Sequence, residues 1–218
     1  TNILGYSNKS VNDAVIKVIK KSTMSTLNPA EEVQLARKLL KLHSWAGGAK
    51  FARTGGEANA LSLRIARSYC KKTKIAFCGY HGWHDWYLSA NLNKKGNLDQ
   101  HLLKDLSTQG VPKELKNTVF PFEYGNHNQF LNIIKKHNIG IVKMEVARNL
   151  SPDLKFLKFI RHECSKNKII LIFDECTSGF RQNFGGMHKI LKINPDLAVF
   201  GKSLGNGFAI TAVLGKKK

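Results

Sequence analysis

Residues 168–175 read KIILIFDE, an unbroken apolar run closed by two carboxylates. A run this short and this rich in β-branched side chains has no polar face. It suits a strand covered on both sides rather than one lying against solvent. Six more short apolar runs occur near 50–53, 74–80, 118–122, 139–145, 197–201 and 209–214. Several of the gaps between them carry helical spacing: Ala58, Leu61, Ile65 and Tyr69 form one stripe, and 128–137 and 153–166 are further helices. Asn28-Pro29-Ala30-Glu31 reads as a helix start with Asn28 as its cap. Strands alternating with helices predict an α/β fold: a mostly parallel, seven-stranded sheet with helices on both faces. Only SLGNGF joins the last run to its predecessor, too short for a parallel crossover, so that strand is expected to run antiparallel. Ligands of such sheets bind beyond the C-terminal strand ends. Thr54, Tyr80, Glu145, Asp174 and Lys202 all fall there.

The formal charge is +20, which raises the question of nucleic acid. Of the 35 cations only seven are arginine, the residue whose planar fork suits phosphate and base contacts. The lysines are scattered singly or in pairs, so no nucleic-acid partner is expected. No run of 18 apolar residues is present, and no membrane span is predicted. Four cysteines lack metal or disulfide-framework spacing, which fits reduced thiols in a cytoplasmic protein, and no metal site is predicted.

Four segments carry candidate chemistry. GKS at 201–203 ends like a phosphate-binding P-loop, but Asp196 stands where its first glycine belongs, and a carboxylate there would repel phosphate. In RTGGEA (53–58) a glycine pair opens a helix, leaving free N–H groups at the positive dipole end; a plain capped turn would look the same. Asp174 closes a buried strand and needs a partner, either a structural cation or a protonated ring nitrogen. YHGWHDWY (80–87) is dense in aromatics, which could be core or could offer Tyr80 as a stacking face. An anion cradle, an aromatic face, a carboxylate for a pyridinium nitrogen and the amine of Lys202, 28 positions after Asp174, together fit one ligand, pyridoxal 5'-phosphate. Enclosed by neutral walls, the Lys202 amine would be an effective nucleophile.

The segments RTGGEANALSLRIAR, YHGWHDWY, DECTSGFR and GKSLGNGFAITAVLG resemble the class III aminotransferases of fold type I, within them the branch near glutamate-1-semialdehyde aminomutase. The resemblance runs in family order over most of residues 28 to 215. It implies that Lys202 holds the cofactor through a Schiff base and that Asp174 faces its ring nitrogen. It implies phosphate-binding amides at Gly55 and Gly56, flanked by Thr54 and Glu57, and stacking by Tyr80 with His81 and Gly82 completing that turn. Glu145 is expected to line the site, and Cys176 stands where the family usually has Val on the ring's other face. Val146 replaces a frequent Pro, and SGFR lacks a Gly common between Phe and Arg in ordinary members, which leans toward the aminomutase-like branch. The implied activity is pyridoxal-phosphate-dependent amino transfer from an amino-acid or amino-sugar-like donor to a keto or aldehyde acceptor, with intramolecular amino transfer as the alternative. The family's chains are about twice as long, so the chain is expected to be a fragment: an N-terminal helical segment over 1–48 and a cofactor-binding large domain over 49–218, with the small C-terminal domain absent. A homodimer is expected for the full-length protein.

Overall fold

The computed structural model describes residues 1–21, 26–147 and 151–217. Two helices lead the chain, α1 (Lys9–Ile19) and α2 (Ala30–Leu42). Asn8 caps α1 by accepting from the Val11 amide at 3.2 Å. The α2 cap is Pro29, without a side-chain hydrogen bond, rather than the predicted Asn28. Pro29 has no N–H to satisfy and its fixed φ already suits the position, so the turn forms without an Asn side chain.

The chain then alternates as expected. Strand β1 (Ala46–Ala52) starts four residues before the predicted run, because its Ala-Gly-Gly lead pairs with the last strand. There follow α3 (Gly55–Cys70), β2 (Lys74–Cys78), the short helices α4 (Asp85–Leu88) and α5 (Ala90–Asn93), and β3 (Val119–Pro121). Next come α6 (His127–Lys136), β4 (Ile139–Glu145), α7 (Leu154–Lys166), β5 (Ile170–Asp174), α8 (Met187–Leu191), β6 (Leu197–Phe200) and β7 (Thr211–Lys216). The seven strands form one sheet in the order β1-β7-β6-β5-β4-β2-β3. Strand β7 is antiparallel to both its neighbours and every other pairing is parallel. Pro121 lies on the edge strand β3, where its missing N–H costs no ladder bond.

One face of the sheet packs on α3: Ala58, Leu63 and Ala66 meet Ile75, Phe77, Ile141, Ile172 and Val199. The other face meets α7 through Phe156, Leu157 and Ile160, against Val142, Met144, Leu171 and Phe173. Leu39 of α2 covers Ala198, Phe200, Ala212 and Leu214 on that second face. Both faces are therefore buried, which is why KIILIF carries no alternation. Because the parallel strands share one direction, the ends at Cys78, Glu145, Asp174 and Phe200 lie along one edge. Among the described residues no helix is long and apolar enough to cross a membrane.

Candidate active site

The edge is organised around Asp174. It ends β5 and is 3% exposed. Its Oδ2 lies 2.8 Å from His81 Nδ1, and its Oδ1 accepts from the Cys176 amide at 3.0 Å. The other His81 nitrogen is 3.1 Å from the Cys78 carbonyl, so the ring is tied at both ends. Asn59 of α3 donates to the His81 carbonyl at 3.1 Å. Burial alone would raise the Asp174 pKa. The His81 hydrogen bond and charge, the Lys143 charge and the Cys176 amide outweigh it and hold the carboxyl well below the usual range. His81, expected only to complete the Tyr80 turn, is thus the direct partner of Asp174.

Glu145 is the register neighbour of Asp174 across β4 and β5. Its Oε2 accepts from the Tyr80 amide at 3.0 Å. Gly79 makes that approach possible: it has φ +105°, and a Cβ there would come within 2.6 Å of Glu145 Oε2. The Tyr80 ring meets Tyr87 edge-on, with centroids 5.7 Å apart. Trp86 and Tyr87 of the aromatic segment are core, whereas Trp83 is exposed. A cavity of about 390 Å³ opens on the Glu145 side, bordered by Gly79, His101, Tyr124 and Val146.

Helix α3 begins at this edge with a complete capping box. Thr54 Oγ1 accepts from the Glu57 amide at 3.2 Å, and Glu57 Oε2 accepts from the Thr54 amide at 2.9 Å and the Arg53 amide at 3.0 Å. Those amide bonds, from Thr54 foremost, lower the Glu57 pKa. The box engages the amides of residues 54 and 57 and leaves those of Gly55 and Gly56 without a hydrogen-bond partner among the described residues. Two open amides at a positive dipole end are the kind of group that can hold an anion. A Cβ on Gly56 would lie 2.5 Å from the His84 ring, and one on Gly82 would lie 3.2 Å from the Gly56 Cα.

Cys176 joins this turn to Lys202. Its sulfur is 3.6 Å from where a Gly55 Cβ would sit and 3.3 Å from where a Gly201 Cβ would sit. Burial, and then the Asp174 charge, push its thiol pKa up. Lys202 stands two residues beyond β6 in a left-handed backbone conformation (φ +46°), uncommon for a side-chain-bearing residue. Its Nζ donates to Thr177 Oγ1 at 3.0 Å. The expected neutral walls do not close around this amine. Lys202 is exposed, because its side chain reaches toward a hydroxyl at the loop surface. Thr211 Oγ1 donates to the Thr54 carbonyl at 3.2 Å and closes the ring of contacts between β7 and α3.

Two buried groups here were not anticipated. Glu175 alternates to the opposite face from Asp174. It accepts from Ser178 Oγ at 2.8 Å, from the amides of Met187 at 2.7 Å and His188 at 2.9 Å, and from His188 Nδ1 at 2.6 Å. Trp45 donates to the other His188 nitrogen at 3.1 Å. Burial would raise the Glu175 pKa; His188 and the amides hold it low. This network fixes the loop that runs from Asp174 past Cys176 and Thr177 to α8. The second group is Lys143, whose ammonium lies inside the sheet against α3. Two adjacent carboxylates at a strand end, and one lysine within IGIVKME, were the sequence signals for both.

Residues 146–218 match the class III aminotransferase family. The chain is 33% identical to a 3-aminobutyryl-CoA aminotransferase of Cloacimonas acidaminovorans over 99% of its own length and 50% of the relative's. It is also 33% identical to a glutamate-1-semialdehyde 2,1-aminomutase of Sulfolobus acidocaldarius, over 99% of this chain and 52% of that one. By these matches the chain is similar to the class III aminotransferases. Its fold matches an omega-transaminase from Sphaerobacter thermophilus with a TM-score of 0.86 at 26% identity, covering 99% of this chain and 51% of that one. A structure described as a transaminase with PLP bound matches at TM-score 0.87 and 23% identity, covering 99% and 51%. The chain spans about half the length of the curated relatives it matches. Class III aminotransferases use pyridoxal phosphate, and the residues at this edge have the chemistry for it: open amides for a phosphate, a buried carboxylate and an accessible primary amine.

Proposed function

We propose that the protein moves an amino group from an amino-acid or amino-sugar-like donor to a keto or aldehyde acceptor with pyridoxal phosphate as cofactor. The reading is supported by three elements that border Cys176: the Asp174 carboxylate, which accepts from its amide, and Gly55 at the start of α3 and Gly201 before Lys202, both beside its sulfur.

Pyridoxal phosphate, when bound, supplies an aldehyde that captures amines and a ring that withdraws electrons. Gly55 and Gly56 bind its phosphate, with Thr54 and Glu57 holding the turn in shape. Asp174, fixed by His81 and the Cys176 amide, would face the ring nitrogen and favour its protonated form. Tyr80 and Cys176 would flank the cofactor ring, with Gly82 and Gly201 adding no side chain beside it. Glu145 holds the Tyr80 backbone in place. Lys202 would hold the cofactor through its amine and, once free, its amine would take a proton from the donor carbon and return it at the acceptor position. Thr177 receives the Lys202 amine when it is released.

Intramolecular amino transfer is the second reading, supported by relatives named as aminomutases and by the SGFR segment. The assignment of 1–48 to a helical segment and 49–218 to the cofactor domain, a homodimer, and a cytoplasmic setting belong to the same proposal. The test uses the full-length protein. Borohydride reduction of the cofactor-loaded form should fix the cofactor on Lys202, read by peptide mass spectrometry. Lys202→Ala should abolish amino transfer, and Lys202→Arg should fail as well, because a guanidinium cannot form the imine. An adduct on another lysine, or turnover by Lys202→Ala, overturns the assignment. Turnover of one substrate without any acceptor distinguishes the aminomutase.

A further inference from the structure

A fully buried lysine is among the rarest side chains in a protein interior, because an ammonium out of water is costly unless compensated. Lys143 is one, 0% exposed in the middle of β4. Its neighbours Val142 and Met144 face α7, so Lys143 faces α3. On that face it stands across from Ile172 in the register, one step behind the pair Glu145 and Asp174. Its Nζ donates to Ser62 Oγ at 3.0 Å, and that hydroxyl is oriented by donating to the Asn59 carbonyl at 2.7 Å. No carboxylate makes contact with Nζ among the described residues. The opposing charge comes from Asp174, one step along the register on the same face, and then from Glu145.

The surroundings of Lys143 are otherwise apolar: Ile141, Phe77 and Ile172 flank it in the sheet. A methionine or leucine would fill this space without the desolvation cost. The amine therefore contributes charge rather than volume. We propose that Lys143 is a positioning residue for Asp174: its buried ammonium, anchored on Ser62, is a standing positive charge that keeps the Asp174 carboxylate ionised beneath the site. His81 holds one carboxylate oxygen directly and Lys143 acts from behind the sheet edge. The carboxylate then stays ionised whether or not a cationic ring nitrogen stands in front of it. The role in amino transfer rests on the proposed function above, but the charge coupling itself does not.

The test is made on cofactor-free full-length protein, so that it stands apart from the amino-transfer reading. Aspartate carboxyl and lysine Cε carbons are labelled with carbon-13 and titrated by NMR in wild type, Lys143→Met and Ser62→Ala. Lys143 in the wild type is expected to be protonated at pH 7, with a midpoint below that of exposed lysines. In Lys143→Met the acid constant of Asp174 should fall by about tenfold or more, the effect of removing one nearby opposite charge. In Ser62→Ala the Lys143 midpoint should drop further, as the ammonium loses its acceptor. A Lys143 that is neutral at pH 7, or that titrates like an exposed lysine, overturns the proposal. So does an unchanged Asp174 titration in folded Lys143→Met. If Lys143→Met does not fold, the wild-type and Ser62→Ala titrations decide.

Discussion

His81 Nδ1 and Asp174 Oδ2 meet at 2.8 Å with both side chains sealed from solvent. Residues 93 apart in the chain are joined there because β2 and β5 end at the same sheet edge. Removing one partner of a buried pair leaves the other uncompensated, so Asp174→Ala should lower stability by about 3 kcal/mol at pH 7. The sign of the pH dependence follows from the depressed Asp174 pKa. A carboxylate held lower in the folded state stabilises fully above its unfolded value of 3.8 and loses that contribution as pH falls through the folded value. The stability gap between wild type and Asp174→Ala, measured by urea unfolding, should therefore be widest near neutrality and narrow below pH 3.8. A gap that widens on acidification would contradict the pairing.

The open amides of α3 predict a separation of binding from stability. A Gly56→Ala Cβ would stand 2.5 Å from the half-buried His84 ring, which can swing toward solvent. Folding stability should change by about 1 kcal/mol or less. Affinity for pyridoxal phosphate should drop about tenfold, because the methyl and the displaced ring crowd the two donors. Gly215→Ala in β7, where a Cβ would meet nothing within 4 Å, is the control and should bind normally. Equal losses in both variants, in a fluorescence titration of cofactor-free protein, would remove the phosphate role from this turn.

The thiols should differ in reactivity. Cys78, Cys164 and Cys176 are buried, and burial pushes each of their pKa values up. Cys70 is partly exposed at the end of α3. Thiolate is the reactive form, so iodoacetamide on native protein at pH 8 should modify Cys70 and spare the other three. Mass spectrometry of the alkylated peptides checks this. Modification of Cys176 at a comparable rate would mean that the contact between Gly55 and Gly201 is open to solvent.

Sequence periodicity predicts the sheet well because both faces are covered. Each inner strand is then an apolar run, whereas β1 at the edge is not, and the one antiparallel strand follows from the shortness of SLGNGF. The strand-end positions of Thr54, Tyr80, Glu145, Asp174 and Lys202 follow from the same pattern. What the pattern does not carry is which way a side chain turns after its strand ends. His81 reads as part of an aromatic cluster, yet folds back under Asp174 because the chain turns sharply at Gly79 (φ +105°) and Gly82 (φ +99°). Glu175 reads as half of a carboxylate pair, but period-two alternation sends it to the opposite face and to His188, a partner 13 residues on. Lys143 has no local signal beyond being a charge within an apolar strand, since its anchor Ser62 lies 81 residues away.

Lys143 also predicts an alkaline signature. Burial brings its pKa down from 10.5 to about 8, with Asp174, Cys176 and Glu145 opposing that fall. Near neutral pH both folded and unfolded states hold the proton, and the folded state carries the full cost of an enclosed ammonium. Between about pH 8 and pH 10.5 the unfolded chain keeps its proton while the folded one releases it, so the cost is relieved and stability rises with pH. The total relief corresponds to about 3 kcal/mol at about 1.4 kcal/mol per pKa unit. Lys143→Met has no proton to release. The difference in unfolding free energy, wild type minus Lys143→Met, should therefore rise with pH across that window, while contributions from tyrosines and cysteines common to both proteins cancel. A difference that stays flat from pH 7.5 to pH 10.5 in chemical denaturation would mean that the Lys143 amine reaches water and carries no buried charge.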